Sequence, residues 1–287
     1  MKVTLMVLSV VTVLVTCPLA QANLAGVDDF NDNSKDTSLW GDDVVEENIG
    51  VTLTETNQAV YLTGTAEVYY ECDYLRPWIK NTGSYGEDWS VHVEVNIPNI
   101  ALGAGHGVGL SLEVVNLADP EDYAFVYFLY AEYGGGYGSG RDLIAEVKAN
   151  ERTVSGPTFA ATSSTHAAMR LRWDASDTTL YMQYDSDGGA NGFGWTTLDS
   201  ANLSSGETDW DMVANSDFGV CIGAFLEAVG DSSVTVTQSD EVKMDNFNAV
   251  PEPATLSLLT LSGLAVLRRR SPGRRRLLRR RKRRACK

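Results

Sequence analysis

Along residues 89–97 apolar and polar side chains alternate one by one. Trp89, Val91, Val93, Val95 and Ile97 fall on one side, and Ser90, His92, Glu94 and Asn96 on the other. A period of two marks a strand with one buried and one wet face. The same short alternation, rich in Val, Tyr, Phe and Thr and broken by Gly, Asp, Asn and Ser, recurs at 59–65, 106–115, 123–133, 143–149, 167–174, 179–185, 218–228 and 242–249. No comparably long stretch between 23 and 250 carries a 3.6-residue apolar rhythm, so little helix is predicted. Residues 167–185 read as a hairpin around the turn Asp174-Ala175-Ser176-Asp177. Gly103, Gly105, Gly107 and Gly109 also recur at period two, which predicts a strand face closely approached by another backbone or a bulky ring. "VDDFND" at 27–32 and "KMDNFN" at 243–248 each set an aromatic residue among Asp and Asn. The first and last strands are therefore expected to lie side by side, with Phe30 and Phe247 turned inward. Residues 23–249 together predict one all-β sandwich.

The two ends follow other rules. Residues 1–22 begin with Lys2, continue through an uncharged apolar run from Val3 to Val15 and close on Ala20-Gln21-Ala22. This order is that of a secretory signal peptide cleaved after Ala22, and it calls for export machinery and a signal peptidase as partners. Near the other end, Val250-Pro251-Glu252-Pro253 interrupts any regular element. The uncharged segment Ala254–Leu267 follows, and then Arg268, Arg269 and Arg270. A 14-residue helix covers about 21 Å, short of a ~30 Å hydrocarbon core. Local thinning and snorkelling arginines make 254–267 a short membrane helix, with the arginines on the cytoplasmic side.

Charge sharpens this division. The 287-residue chain has a formal net charge of −15, but residues 23–250 hold 37 acidic and 9 basic residues, a net −28, whereas residues 268–287 hold 13 basic residues and no acid. So acidic a body repels phosphate backbones, which excludes nucleic acid as its partner. The basic tail, 271–287 beyond the first arginines, suits phosphate-bearing surfaces.

Candidate chemistry in the body is sparse. Cys72 and Cys221 either form one disulfide or stand as two separate buried thiols. His92, His106 and His166 have no metal-ligand spacing with another His or Cys, and a lone strand histidine is ordinarily a surface residue. No Gly-x-Ser-x-Gly elbow or P-loop occurs. Asp185 and Asp187 in "DSDGGANG" offer a weak calcium loop, but the twelfth place is Thr196 rather than a bidentate Glu, so a plain turn is the simpler reading. No cofactor is expected beyond loosely held calcium.

Two resemblances add expectations. "DDFNDNSKDTSLW" near the start of the body, "MRLRWD" and "LYMQYDSDGG" in the hairpin and "VKMDNF" at its end look like the concanavalin A-like (laminin G-like) jelly-roll superfamily of lectins and glucanases. The resemblance implies a concanavalin A-like jelly-roll β-sandwich. Glucanases of that superfamily use Glu-x-Asp-x-(x)-Glu on one strand. The nearest strings here, "ECD" at 71–73 and "ETDWD" at 207–211, lack one of the glutamates, so a non-catalytic body is expected. Binding in such folds implies aromatic platforms and polar loop groups. Tyr133, Tyr137 and Arg141 in "EYGGGYGSGR", with Trp78 and Tyr85 in "YLRPWIKNTGSYG", are the candidates for extracellular polysaccharide.

The order Pro-Glu-Pro, apolar segment, arginine cluster over 250–270 resembles the PEP-CTERM sorting signal of Gram-negative bacteria. It implies that Pro251, Glu252 and Pro253 are recognised by an exosortase, with Arg268, Arg269 and Arg270 completing the signal. The protein would then be tethered transiently at the inner membrane and delivered to the outer surface or extracellular matrix. Family members usually stop soon after the arginines, whereas 17 residues follow Arg270 here. The rival functional classes are a divergent glycoside hydrolase or lyase and a purely structural surface protein.

Overall fold

The computed structural model describes residues 24–46, 50–67, 70–133, 139–213, 215–229 and 232–251. The expected signal peptide with Ala20 and Ala22, the membrane segment 254–267, the arginines and the basic tail lie outside these residues, as does Tyr137. Among the described residues no helix is long and apolar enough to cross a membrane.

Among the described residues sixteen strands carry the fold: β1 Gly26–Asp28, β2 Val44–Glu46, β3 Val51–Thr56, β4 Ala59–Ala66, β5 Tyr70–Ser84, β6 Trp89–Asn96, β7 His106–Asn116, β8 Asp119–Glu132, β9 Ser139–Ala149, β10 Arg152–Thr162, β11 His166–Asp174, β12 Thr179–Asp185, β13 Thr196–Asn202, β14 Asp217–Ala228, β15 Val234–Val236 and β16 Lys243–Pro251. Among the same residues, short 3-10 turns at Gly206–Thr208 and Gln238–Asp240 are the helical elements. One sheet runs β13-β12-β11-β6-β16-β4-β15, with β1 added to β16 and β3 to β4, and the other runs β10-β9-β8-β7-β14-β5-β2. The result is an all-β jelly-roll sandwich.

Each of the nine alternating runs forms a strand. On β6 and the residue after it, the apolar set Trp89, Val91, Val93, Val95 and Ile97 is buried throughout, and it shares one core with Val108, Leu110, Leu112 and Val114 of β7 and their neighbours. Each such side chain contributes about 1.5–3 kcal/mol when removed from water. The other face of β6 is drier than the alternation predicts. Ser90 and Asn96 are buried, and His92 lies under the stacked rings of Phe193 and Trp195, at 4.7 and 5.6 Å. His92 is therefore not a simple surface histidine: burial, and then the Arg170 charge, lower its pKa to about 4.

The ends of the sandwich meet as expected. Asp28 of β1 pairs with Phe247 of β16, and Phe30 and Phe247 are fully buried. Trp40 gathers them, stacked 5.9 Å from Phe30 and edge-on to Phe247 at 4.8 Å and Trp78 at 5.1 Å. Apolar residues at 244, 247 and 249 break the period of two. A bulge between Asp245 and Asn248, with Asn246 in the left-handed region at φ 51°, turns both Met244 and Phe247 inward.

The possible disulfide is corrected. Register sets Cys221 opposite Pro77 and Cys72 opposite Leu226. Five positions at roughly 3.3 Å each separate the two cysteines along the ladder, far beyond the reach of a disulfide. Cys221 is a free thiol.

Candidate functional site

The outer face of the seven-stranded sheet is built by simple alternation. Because Val108, Leu110, Leu112 and Val114 point into the core, Gly107, Gly109, Ser111, Glu113 and Val115 of β7 point out. The same parity turns out Tyr123, Phe125, Tyr127 and Leu129 of β8, and Cys221, Gly223, Phe225 and Glu227 of β14. Cross-strand register then makes rows: Cys221–Glu113–Phe125, Gly223–Ser111–Tyr127 and Phe225–Gly109–Leu129.

The alternate glycines act as predicted for two of the four. A Cβ on Gly109 would collide with the Phe225 ring, and one on Gly107 with the Tyr133 hydroxyl. The lane gives both side chains room over β7, where Phe225, Leu129 and Ala131 form a second small apolar cluster joined by Tyr127, Tyr133 and Ile144. Next to it is a groove of about 560 Å³, lined among others by Ser111, Glu113, Tyr123, Tyr127, Phe225 and Glu151. Its rings Tyr123, Tyr127 and Phe225 belong to a chain bridged by buried Phe125: Tyr123 to Phe125 at 6.2 Å, Phe125 to Tyr127 at 4.3 Å, and Tyr127 edge-on to Phe225 at 5.4 Å. The Ser111 hydroxyl donates to Glu113 Oε1 at 2.7 Å. Burial, together with the charges of Glu113, Glu146 and Glu151, raises the Tyr123 phenol above its ordinary pKa, while Lys148 opposes the shift. Burial, then Glu113, raises the Cys221 thiol to about 12, so this cysteine stays protonated and inert. The site thus combines flat apolar rings with a carboxylate and a hydroxyl on one wall.

The residues expected to bind ligand are dispersed. Trp78 is a core residue, 4.8 Å from Phe247 and with Nε1 donating to Asn81 Oδ1, so no ring face is left for a ligand. Tyr85 packs 5.1 Å from Trp173 and its carbonyl accepts from Trp173 Nε1. Arg141 is buried, donating to the Ile97 and Pro98 carbonyls with its guanidinium 4.2 Å above Tyr130. It fastens β9 to the loop after β6. Of the four described, Tyr133 alone reaches the groove-bearing face, where its hydroxyl donates to Glu227 Oε2 at 2.5 Å. Asp185 accepts from the Gly194 and Asp187 amides, and Asp187 from the Asn191 side chain. Both carboxylates close their own loop, as a turn requires. Among the described residues no group of three His, Cys, Asp or Glu side chains is arranged to hold a metal ion.

The two acidic strings also part. Residues 71–73 belong to β5, where Glu71 and Asp73 lie opposite Glu227 and Phe225. Residues 207–211 span a 3-10 turn and the loop held by buried Trp210, whose Nε1 donates to the Lys148 carbonyl. Two of the groove residues, Tyr123 and Tyr127, stand in the sequence with Phe125 between them as three rings at period two. Periodicity alone does not say which face of a strand apolar on both sides is covered.

Residues 249–271 match a family model described as the PEP-CTERM protein-sorting motif. The chain carries a PEP-CTERM sorting signal. The match extends one residue beyond each end of the expected 250–270. The signal begins inside the sandwich, for Val250 and Pro251 of β16 stand opposite Ser90 and Trp89. Comparison with curated proteins finds no match. Among solved structures the chain is similar to a laminarinase from Flavobacterium sp. UMI-01, with TM-score 0.47, 10% identity and coverage of 79% of this chain and 97% of that one. It is similar to lectin II from Ulex europaeus, with TM-score 0.47, 7% identity and coverage of 80% and 99%. A third is the exoplasmic/lumenal domain of VIP36 in a Ca2+/Man2-bound form, with TM-score 0.46, 9% identity and coverage of 79% and 86%.

Proposed function

We propose that this is an exported surface protein, processed by an exosortase at its PEP-CTERM signal, whose sandwich holds a polysaccharide strand without cleaving it. In this reading residues 1–22 are removed on export. The segment 254–267 tethers the precursor in the inner membrane, Pro251, Glu252 and Pro253 are recognised, and the body passes to the outer surface or matrix. The observation that carries the binding function is the groove lined by the rings of Tyr123, Tyr127 and Phe225. A pyranose has an apolar face rimmed by hydroxyls, so it lies on Tyr123, Tyr127 and Phe225 while Ser111 and Glu113 take its hydroxyl groups. Retaining hydrolysis requires two carboxyl groups about 5–5.5 Å apart. The direct cross-strand neighbours of Glu113 are Cys221 and Phe125, and the diagonal ones are Gly219, Gly223, Tyr123 and Tyr127. None is acidic, and the groove's other carboxylates, Glu121 and Glu151, are exposed at its rim; the reading is therefore of binding without catalysis.

Affinity electrophoresis through gels containing β-glucans or hexosamine polymers tests the binding role. The wild-type sandwich should be retarded in at least one polymer, and Tyr123→Ala and Tyr127→Ala should migrate freely. Unretarded wild-type protein in every gel overturns the reading. Replacing Pro251, Glu252 and Pro253 by alanine should leave uncut precursor in the membrane fraction; a mature protein of unchanged mass would refute the processing step.

A further inference from the structure

β16 is both the last strand of the sandwich and the first stretch of the sorting signal, because the matched residues begin at 249 and the ladder runs to Pro251. Its hold changes abruptly within those three residues. As far as Ala249 the strand has a neighbour on each edge: β6 on one side, and β4 and then β1 on the other, where Gly26 stands opposite Ala249. Phe247 and Ala249 are buried. β1 reaches no further, since the chain before Gly26 is tied to β5, with the Ala25 amide donating to Asn81 Oδ1 at 3.2 Å and its carbonyl accepting from Asn81 Nδ2 at 2.9 Å. Among the described residues, Val250 and Pro251 are therefore paired with Ser90 and Trp89 of β6 alone. Val250 is 40% exposed, and Pro251 has no N–H to give to the ladder. The strand opposite is firmly held. Trp89 also pairs with Trp173 of β11, and its buried ring is edge-on to Phe218 at 5.2 Å. When this end of the sheet opens, Val250 and Pro251 move off and β6 stays.

An enzyme that reads a chain must surround its backbone, which a ladder neighbour prevents. Folded chains are accordingly cut through locally opened forms, whose population follows local stability. Resting on the reading that an exosortase recognises Pro251, Glu252 and Pro253, we propose that the sandwich gates its own processing. Pro251 serves β16 and the enzyme in turn. The cut proceeds through a form in which Val250 and Pro251 have left Ser90 and Trp89, and the opening stops at Ala249, where a second edge and the core take hold. The scissile bond lies beyond Ala249, so the mature protein keeps Phe247 and the pairing of β16 with β1 and β6.

Pulse-labelling of the full-length chain in the cells that produce it follows conversion of precursor to mature protein. A short flexible Gly/Ser insert between Val250 and Pro251 takes the motif off the ladder without changing its distance from the segment 254–267, and should speed conversion at least about fivefold. The same insert between Pro253 and Ala254 moves the sandwich equally far from that segment but leaves Pro251 continuous with β16, and should not speed it. Mass spectrometry of the mature wild-type protein should find Ala249 in its last peptide. Conversion of the first variant at the wild-type rate or slower, equal acceleration of both variants, or a mature chain ending before Ala249 overturns the gate and leaves recognition of the motif standing. Unchanged conversion when all three motif residues are alanine removes recognition itself, and the gate with it.

Discussion

Glu55 sits on β3 between positions that point to solvent, and its own side chain points in, 8% exposed. Neither of its oxygens receives a hydrogen bond, and nearby Arg76 leaves Nη1 without an acceptor while its other nitrogens bond Asp43 and the Leu53 carbonyl. Burial first, and then the carboxylates of Asp32 and Asp28, push the Glu55 pKa up to about 8. The folded value lies above the unfolded one of 4.5. The stability it contributes is therefore full below that unfolded value and is lost as pH rises through the folded one. Glu55→Gln keeps the shape and removes the titration. Urea unfolding at acid, neutral and alkaline pH should find this variant progressively more stable than wild type as pH rises, by on the order of a few kcal/mol at the alkaline end; parallel pH profiles would show that Glu55 finds a partner when ionised. A second residue is decided by sterics. Gly109→Ala sets a methyl against Phe225, so a loss of about 1–3 kcal/mol is expected, with weakened saccharide retention because that ring is displaced. A variant with wild-type stability and retention would show the lane to be looser than its geometry.

At the scale of elements, strands buried on one regular face were legible in the sequence and strands held by their neighbours were not. β6, β7 and β14 announce themselves by alternation. β5 does not, because Pro77 interrupts it. Its carbonyl accepts from the Gly41 amide at 2.9 Å, so the absent N–H also faces this edge side, where no ladder partner is lost. β10 carries Gly156-Pro157, a turn signal by composition, yet these residues fall in a register shift on an edge strand. β13 is polar because it closes the other sheet's edge. The groove was hidden for a related reason. Tyr123, Phe125 and Tyr127 sit on a strand apolar on both faces, and only the glycines of β7 and Phe225 of β14, nearly a hundred residues away, make that face a site. Trp78 misled because an aromatic residue beside a proline and a lysine reads as a loop, whereas β16 brings Phe247 onto it. That contact fixes a prediction for β16. Phe247→Ala should cost about 3–5 kcal/mol, since the ring fills the space between Trp40 and Trp78. Urea midpoints measure it, and a loss below 1 kcal/mol would mean that the neighbouring rings collapse into the gap.

Over the whole molecule the charge is divided rather than dispersed: a net −28 over residues 23–250 against 13 basic residues and no acid over 268–287. The two parts must behave oppositely toward an anionic surface. Each Lys or Arg near such a surface contributes about 1 kcal/mol at low ionic strength, within a screening length of ~10 Å at 0.1 M salt, while the carboxylates of the body are repelled. Partition into the apolar segment 254–267 is a separate effect that salt does not weaken. Sedimentation with vesicles containing anionic lipid separates the two. The chain as synthesised should bind strongly in dilute buffer and lose part of that binding as salt is added. A chain ending at Leu267 should keep only the salt-insensitive part, and the sandwich ending at Pro251 should stay in the supernatant at every salt concentration. Were the sandwich to sediment with the vesicles, its negative charge would not be what the surface meets. Processing within the PEP-CTERM signal would then not be what frees the body, because the tail beyond the cut would no longer be the attachment that processing removes.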